Sequence, residues 1–305
     1  MTRLLQTLLD SLAVGSLYGL IALGYTMVYG ILQFINFAHS DVFMLGAWFS
    51  YTIAKKAGWV QDAPIWSAPV VLLGTMTICG TIGFTIERLA YRPLRRAPRL
   101  NVLITAIGVS LLLENTGQLP QAFGTQPQAM PTLFRDVVLA SVAGVDLHLV
   151  DALVIGIALG LMALLQWLVF GTRLGLSMRA VAFDTRVASL MGIDVDRVIS
   201  FTFVVGSALA AAAGLLYATK YAGLKQPADA VWVLLGLKAF VAAVIGGIGN
   251  VRGAVIGGLL IGALEQLGVA YVSTSLRDVY VFSLLILVLL VRPTGILGKP
   301  VVEKV

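Results

Sequence analysis

The stretch from Ser11 to Ala38, SLAVGSLYGLIALGYTMVYGILQFINFA, carries no charged residue. An apolar helix needs roughly 20 residues to cross about 30 Å of hydrocarbon, and this run is longer. Ala63–Ile86, Ala152–Thr172 and Val198–Thr219 are equally free of charge. Leu100–Leu119, Ala230–Val251 and Gly253–Leu276 carry one each, at Glu114, Lys238 and Glu265. Two shorter runs, Val42–Ala54 and Val279–Val291, complete the set. The reading is an all-α fold, a polytopic transmembrane helix bundle of roughly eight to ten segments, with about nine expected. Residues 1–305 form a single transmembrane domain. Val42–Ala54 either crosses or is tilted, broken or re-entrant.

Composition agrees. Hydrophobic residues are 59% of the 305 and charged residues 12%, against about 25% charged in a soluble domain. Mean hydropathy is +0.94. A soluble globule of this size needs more charge to wet its surface, so a soluble enzyme, a disordered chain and a disulfide scaffold are excluded. The single cysteine, Cys79, reads as a small packed residue. The 32 glycines suit closely packed membrane helices, and Gly249/Gly253, Gly253/Gly257 and Gly258/Gly262 have G-x-x-x-G spacing. The first run continues too far for a cleaved signal peptide and is expected to be a retained helix.

The net charge is +6. The basic residues form no aromatic-flanked patch, so nucleic acid is not an expected partner. They cluster instead in alternate loops, at Arg88–Arg99, at Arg173–Arg197, at Arg252 and in the tail with Arg292, Lys299 and Lys304. By the positive-inside rule these segments and the C-terminus are cytoplasmic. Lys55, Lys56, Arg135, Lys220, Lys225 and Arg277 fall on the other side. The side of the N-terminus turns on whether Val42–Ala54 crosses. The Pro120–Pro131 loop reads as irregular. A faint echo, Val14-Gly15-Ser16 and Val205-Gly206-Ser207, hints at two related halves.

There is no G-x-x-x-x-G-K-S/T loop, no H-E-x-x-H, no C-x-x-C and no G-x-S-x-G. His39 and His148 are far apart and signal no metal site. No enzymatic activity, cofactor or metal is expected of this chain. Ionisable residues at lipid depth are then the functional candidates. Asn36, His39 and Asp41 stand where the first span gives way to the short second one. Ser40 or Asp41 could cap that helix, and its start would suit a substrate carboxylate; a plain turn is the alternative. Glu114, beside Asn115 and Gln118, is read either as an interhelical hydrogen bond or as part of the substrate path. Lys238 and Glu265 come to similar depth on neighbouring antiparallel helices and are expected to pair as a buried ion pair. Snorkelling by the lysine is the alternative.

Within the 173–197 loop, Phe183, Val187, Leu190 and Met191 fall on one face of a short helix, which Ser177 would start and Gly192 stop. Such a helix could lie on lipid head groups or enter a groove on a partner protein.

That Gly-terminated helix resembles the coupling helix of ATP-binding-cassette importer permeases. Arg186-Val187-Ala188-x-x-x-Gly192 keeps the last Ala and the Gly of their E-A-A-x-x-x-G motif. The opening GSLYGLIALGYTMVYGIL from Gly15 is similar to the branched-chain amino-acid permeases of the LivH type. So are Ile35-Asn36-Phe37-Ala38-His39, Ile86-Glu87-Arg88-Leu89-Ala90-Tyr91-Arg92-Pro93 and Ala188-Ser189-Leu190-Met191-Gly192-Ile193. Lys238-Ala239-Phe240 leading to Gly246-Gly247-Ile248-Gly249 and the tail Arg292-Pro293-Thr294-Gly295-Ile296-Leu297-Gly298 complete the likeness. The resemblance implies an inner-membrane permease that translocates leucine, isoleucine, valine or related amino acids. It implies a second related permease subunit, two cytoplasmic ATPase subunits and a periplasmic substrate-binding protein, with lipid around the bundle. It also implies that Arg179, Phe183, Asp184, Val187, Ala188, Leu190 and Gly192 meet the ATPase. Urea or short-amide permeases of the same superfamily are an alternative. An ATP-independent secondary transporter is another, but would have no need of the docking helix.

Overall fold

Among the described residues of the computed structural model, seven helices are long and apolar enough to cross a membrane. The structure describes residues 2–298 apart from 61, 62, 96, 135 and 143. Arg96, Arg135, Lys299 and Lys304 of the charge tally therefore lie outside the described residues. The helices are α1 (Thr2–Leu32), α2 (His39–Lys56), α3 (Ser67–Ile86), α4 (Arg99–Gly117), α5 (Leu149–Gly171), α6 (Arg173–Phe183), α7 (Thr185–Leu190), α8 (Val195–Tyr221), α9 (Ala230–Gly246), α10 (Val251–Tyr271) and α11 (Arg277–Val291). A π turn, Glu87–Tyr91, and a 3-10 turn, Arg92–Leu94, prolong α3.

Interactions at the helix ends sort them onto two faces. Tyr91 bonds Asn36, Arg92 bonds Asp196, and Asn250 bonds the carbonyl of Leu297. These ends form the basic face. At the other face Gln6 exchanges hydrogen bonds with Asp146, Lys220 pairs with Asp151, and the Trp48 indole donates to Lys225 O over 3.1 Å. The N-terminus of α1 thus lies opposite the arginine-rich loops. The first of the two short runs, Val42–Ala54, lengthens into α2, which starts within the bundle and ends at the opposite face. Its first residue, His39, is level with Ile21 and Gly24 of α1, well short of the Leu32 end.

Helices α1 and α8 are the centre. In the most apolar stretch of each, 94% and 78% of residues are buried, against 17% in α4 and 6% in α11. They run in opposite directions and carry the two Val-Gly-Ser echoes. Helix α1 packs on α9 and α10, and α8 packs on α2 and α3. Close approach requires glycine: a Cβ on Gly258 would lie 2.3 Å from Gly19 N, and one on Gly262 would lie 2.4 Å from Gly15 Cα. The glycine spacing of α10 thus serves backbone contact, which gains dispersion that lipid cannot compete away.

Small strands complete the fold. β1 (Gln128–Ala129) pairs with β4 (Gly223–Leu224), and β2 (Val138–Val142) with β3 (Val145–His148), both antiparallel. The segment read as irregular therefore contains one strand, and a hairpin follows it.

Two local expectations are corrected. Neither Ser40 nor Asp41 caps α2: the cap position is Ala38, with no side-chain bond, and both residues are in the first turn. Ser40 Oγ instead donates backward to Phe37 O over 2.9 Å. The helix expected across 177–191 is two. Asp184 is extended, at φ −157° and ψ 110°, and its carboxylate accepts from Arg186 N and Val187 N. Aspartate is a poor interior residue and a good cap, so it divides α6 from α7. Ser177 lies inside α6, donating to Arg173 O over 3.2 Å, and caps nothing. Gly192 does end α7, in the left-handed region at φ +81°.

Candidate functional site

Helix α9 enters from the hairpin face, capped by Asp229, and carries Lys238 into the interior with a side chain 4% exposed. Its ammonium lies 3.2 Å from Glu265 on α10 and 2.7 Å from Asp278 at the head of α11. Glu265 is fully buried. Its Oε2 also accepts from the Tyr18 hydroxyl of α1 over 2.9 Å, and its Oε1 from Nε of Arg277. Four helices thus meet in two cations and two carboxylates, with no net charge. Burial of such ions is tolerable only when paired and hydrogen-bonded.

This network lies at one side of a cavity of about 560 Å³, within the roughly 300–1,000 Å³ range of small-molecule sites. Val14, Leu17 and Ile21 of α1, Phe43 of α2, and Leu234 and Leu235 of α9 give it aliphatic and aromatic walls. Tyr217 and Tyr221 of α8 also line it, as do Lys238, Arg277 and Asp278. Gln128, Gly223 and Leu224, from the β1–β4 pair, border it at the hairpin face. That border is anchored: Tyr51 donates to Gln128 Oε1 over 2.8 Å, and the Trp232 indole to Gln226 O over 2.9 Å.

The other sequence candidates are placed differently. Asn36 accepts from the Tyr91 hydroxyl over 2.6 Å. His39 contacts Ile21 O at 3.2 Å and meets the Tyr25 ring edge-on; Gly24 leaves the space its imidazole fills. Asp41, fully buried, accepts from Ser110 of α4, and Glu114 faces the same carboxyl. His39, Asp41 and Glu114 lie together around the start of α2 and are not among the residues lining the 560 Å³ cavity. Phe43, one turn farther along α2, is.

On the basic face Phe183, Leu190 and Met191 are 87%, 86% and 78% exposed, and Val187 is half exposed. Ala188 packs inward. Arg179 turns back, donating to Val169 O at the end of α5 and lying over the Phe170 ring.

Sequence reading missed Arg277, Asp278 and Tyr18. Arg277 was read as an external loop residue. The signal was the short run Val279–Val291: too short to span alone, it had to borrow the residues ahead of it.

These features define a multi-pass helical membrane protein built around an internal cavity with charged residues in its lining. The profile of the family described as branched-chain amino acid transport system / permease component matches residues 7–291. The chain is 43% identical over 305 residues to the high-affinity branched-chain amino acid transport system permease protein LivH of Salmonella typhimurium, covering 99% of this chain and 97% of that protein. It is 43% identical over 311 residues to LivH of Escherichia coli K12, with the same coverage, 99% and 97%. To BraD of Pseudomonas aeruginosa it is 43% identical over 309 residues, covering 99% and 98%. The chain belongs to the branched-chain amino acid transport permease family.

Proposed function

We propose that this chain is a permease subunit of an ATP-binding-cassette importer that carries leucine, isoleucine and valine across the inner membrane. The observation that carries the reading is the cavity between α1, α2, α8 and α9, whose branched aliphatic walls match such side chains and whose charges match an amino-acid head group. Nine helices cross, with α2 and α9 added to the seven that are long and apolar enough on their own. The hairpin face is periplasmic and receives a substrate-binding protein; the basic face and the C-terminus are cytoplasmic. Asn36, His39 and Asp41, with Glu114, form the closed inner part of the path. A second related permease completes the membrane unit, and two ATPase subunits power it. Phe183, Val187 and Leu190 dock on an ATPase, with Asp184 and Gly192 holding the turn that presents them, Ala188 packing it down and Arg179 tying it to α5. Their exposure supports this, because large apolar side chains clustered among arginines mark interaction sites.

The test is reconstitution of the complete importer in liposomes. Leucine uptake is expected only with ATP on the ATPase side and with the binding protein opposite. Uptake of urea but not leucine, or uptake without ATP, would count against the reading. Phe183→Asp is expected to leave ATP hydrolysis running while uptake stops. Single cysteines at Gln126 and Arg186, in a Cys79→Ser background, test polarity: an impermeant reagent outside cells should label only position 126.

A further inference from the structure

We propose that Arg277 and Asp278 together hold the zwitterionic head group of the transported amino acid, the guanidinium on its carboxylate and the Asp278 carboxylate on its ammonium. The proposal rests on the amino-acid reading above and assigns the contacts within that site.

The division of labour in the network points to these two residues. Glu265 is spent: Oε1 and Oε2 are both occupied by Arg277, Tyr18 and Lys238. Lys238 is also spent, between Glu265 and Asp278, with a side chain only 4% exposed. Arg277 uses only Nε, toward Glu265. Its two terminal nitrogens have no hydrogen bond among the described residues, and the side chain is 41% exposed and lines the cavity. A guanidinium held at Nε keeps a planar outer edge, which suits bidentate binding of a carboxylate. Asp278 gives Oδ1 to Lys238 at 2.7 Å. Its Oδ2 has no partner among the described residues, and its side chain is 46% exposed in the same cavity.

One free cation edge and one free anion edge thus lie side by side at the head of α11. The four-ion network is neutral and stays neutral when a zwitterion joins it; Lys225, which also lines the cavity, is exposed at its hairpin-face border. An acid without the ammonium, or an amine without the carboxylate, would satisfy only one of the two edges and leave the charge it brings uncompensated. The aliphatic wall of Val14, Leu17, Leu234 and Leu235 then receives the side chain, where burial of branched carbon is favourable. A larger recess of about 900 Å³ at the hairpin face has its polar groups already partnered, Lys220 with Asp151 and the His148 ring with Asp136.

The test uses the complete importer with Leu234→Cys in a Cys79→Ser background, so that the rate of reaction with a small methanethiosulfonate reports occupancy. L-Leucine is expected to slow labelling about tenfold at roughly ten times its dissociation constant. 4-Methylpentanoate, which lacks the ammonium, and 3-methylbutylamine, which lacks the carboxylate, are expected to leave the rate unchanged. Arg277→Gln should abolish protection by leucine. Arg277→Lys, which keeps a cation beside Glu265 but loses the fork, should weaken it. Asp278→Asn should let 4-methylpentanoate protect. Full protection by leucine in Arg277→Gln and Asp278→Asn overturns the proposal, as does absence of protection in a preparation that takes up leucine, or equal protection by the two analogues. Failure of the unsubstituted importer to take up leucine at all overturns the amino-acid reading itself, and the head-group assignment falls with it.

Discussion

Two glutamates are fully buried at opposite ends of the bundle, and their surroundings differ. Glu87, just past α3 near the basic face, accepts from Ser200 of α8 over 2.6 Å and from Arg95. Arg95 also reaches Asp196, which Arg92 pairs with as well. All these partners come from two short stretches, 87–95 and 196–200. Glu265 draws on α1, α9 and α11. The first cluster is a staple between the end of α3 and the start of α8. The second borders a cavity and leaves donor and acceptor edges free. Both are ion networks around a dry carboxylate with space alongside, about 440 Å³ lined by Arg92, Asp196 and Ser200 at the first. What separates them is that the first pairs its charged groups with one another between two chain segments, whereas the second joins α1, α9, α10 and α11 and leaves a guanidinium edge and a carboxylate oxygen without partners among the described residues.

Breaking each cluster should show the asymmetry. Glu265→Ala strands Lys238 and Arg277 and is expected to cost about 3–5 kcal/mol, as removal of one partner of a buried ion network does. Membrane abundance and the thermal midpoint of the purified protein should both fall; an unchanged midpoint would mean that Asp278 alone satisfies Lys238. The exchange Lys238→Glu with Glu265→Lys would restore a simple pair. Here it sets an ammonium against Arg277, so abundance should stay as low as in the single variants, and recovery would remove Arg277 from the network. Glu87→Ala should cost less, about 1–3 kcal/mol, since Arg95 keeps Asp196 as its counter-charge and the Ser200 hydroxyl is the one neutral donor left without its partner. A midpoint falling as far as in Glu265→Ala would erase the distinction between the clusters. The smallest effects belong to Ser200→Ala and Tyr18→Phe, each deleting one hydrogen bond for about 1 kcal/mol. Denaturation of the two variants side by side should give similar shifts, and leucine affinity should change only with Tyr18→Phe, because Tyr18 lines the cavity and Ser200 does not.

Legibility in the sequence followed the range of each interaction. The apolar runs needed no partner to be read, because each crossing segment must satisfy its own backbone. Gly192 was legible as a stop for the same local reason. The break at Asp184 was not, because an i, i+4 face looks continuous whether or not a residue within it turns outward to cap. At α2, Ser40 and Asp41 have the chemistry of caps, yet the helix starts before them. Packing decides there: Gly236 of α9 leaves space for Ser40, and Ser110 of α4 donates a hydrogen bond to the Asp41 carboxyl.

The sequence by itself determined that this chain lives in lipid, how many apolar runs it has, which loops are basic and which family its motifs resemble. Those are sums and spacings along one strand of chain, and lipid solvation acts on each segment separately. It also marked Lys238 and Glu265 as ions at similar depth, from rise per residue along two neighbouring helices. Only the tertiary structure decided that Arg277 and Asp278 join them, that Tyr18 closes the network, and that space remains beside it. Those facts depend on the azimuth of four helices about their own axes. Azimuth is set by backbone contacts such as Gly258 against Gly19 and Gly246 against Gly253, which no single segment contains.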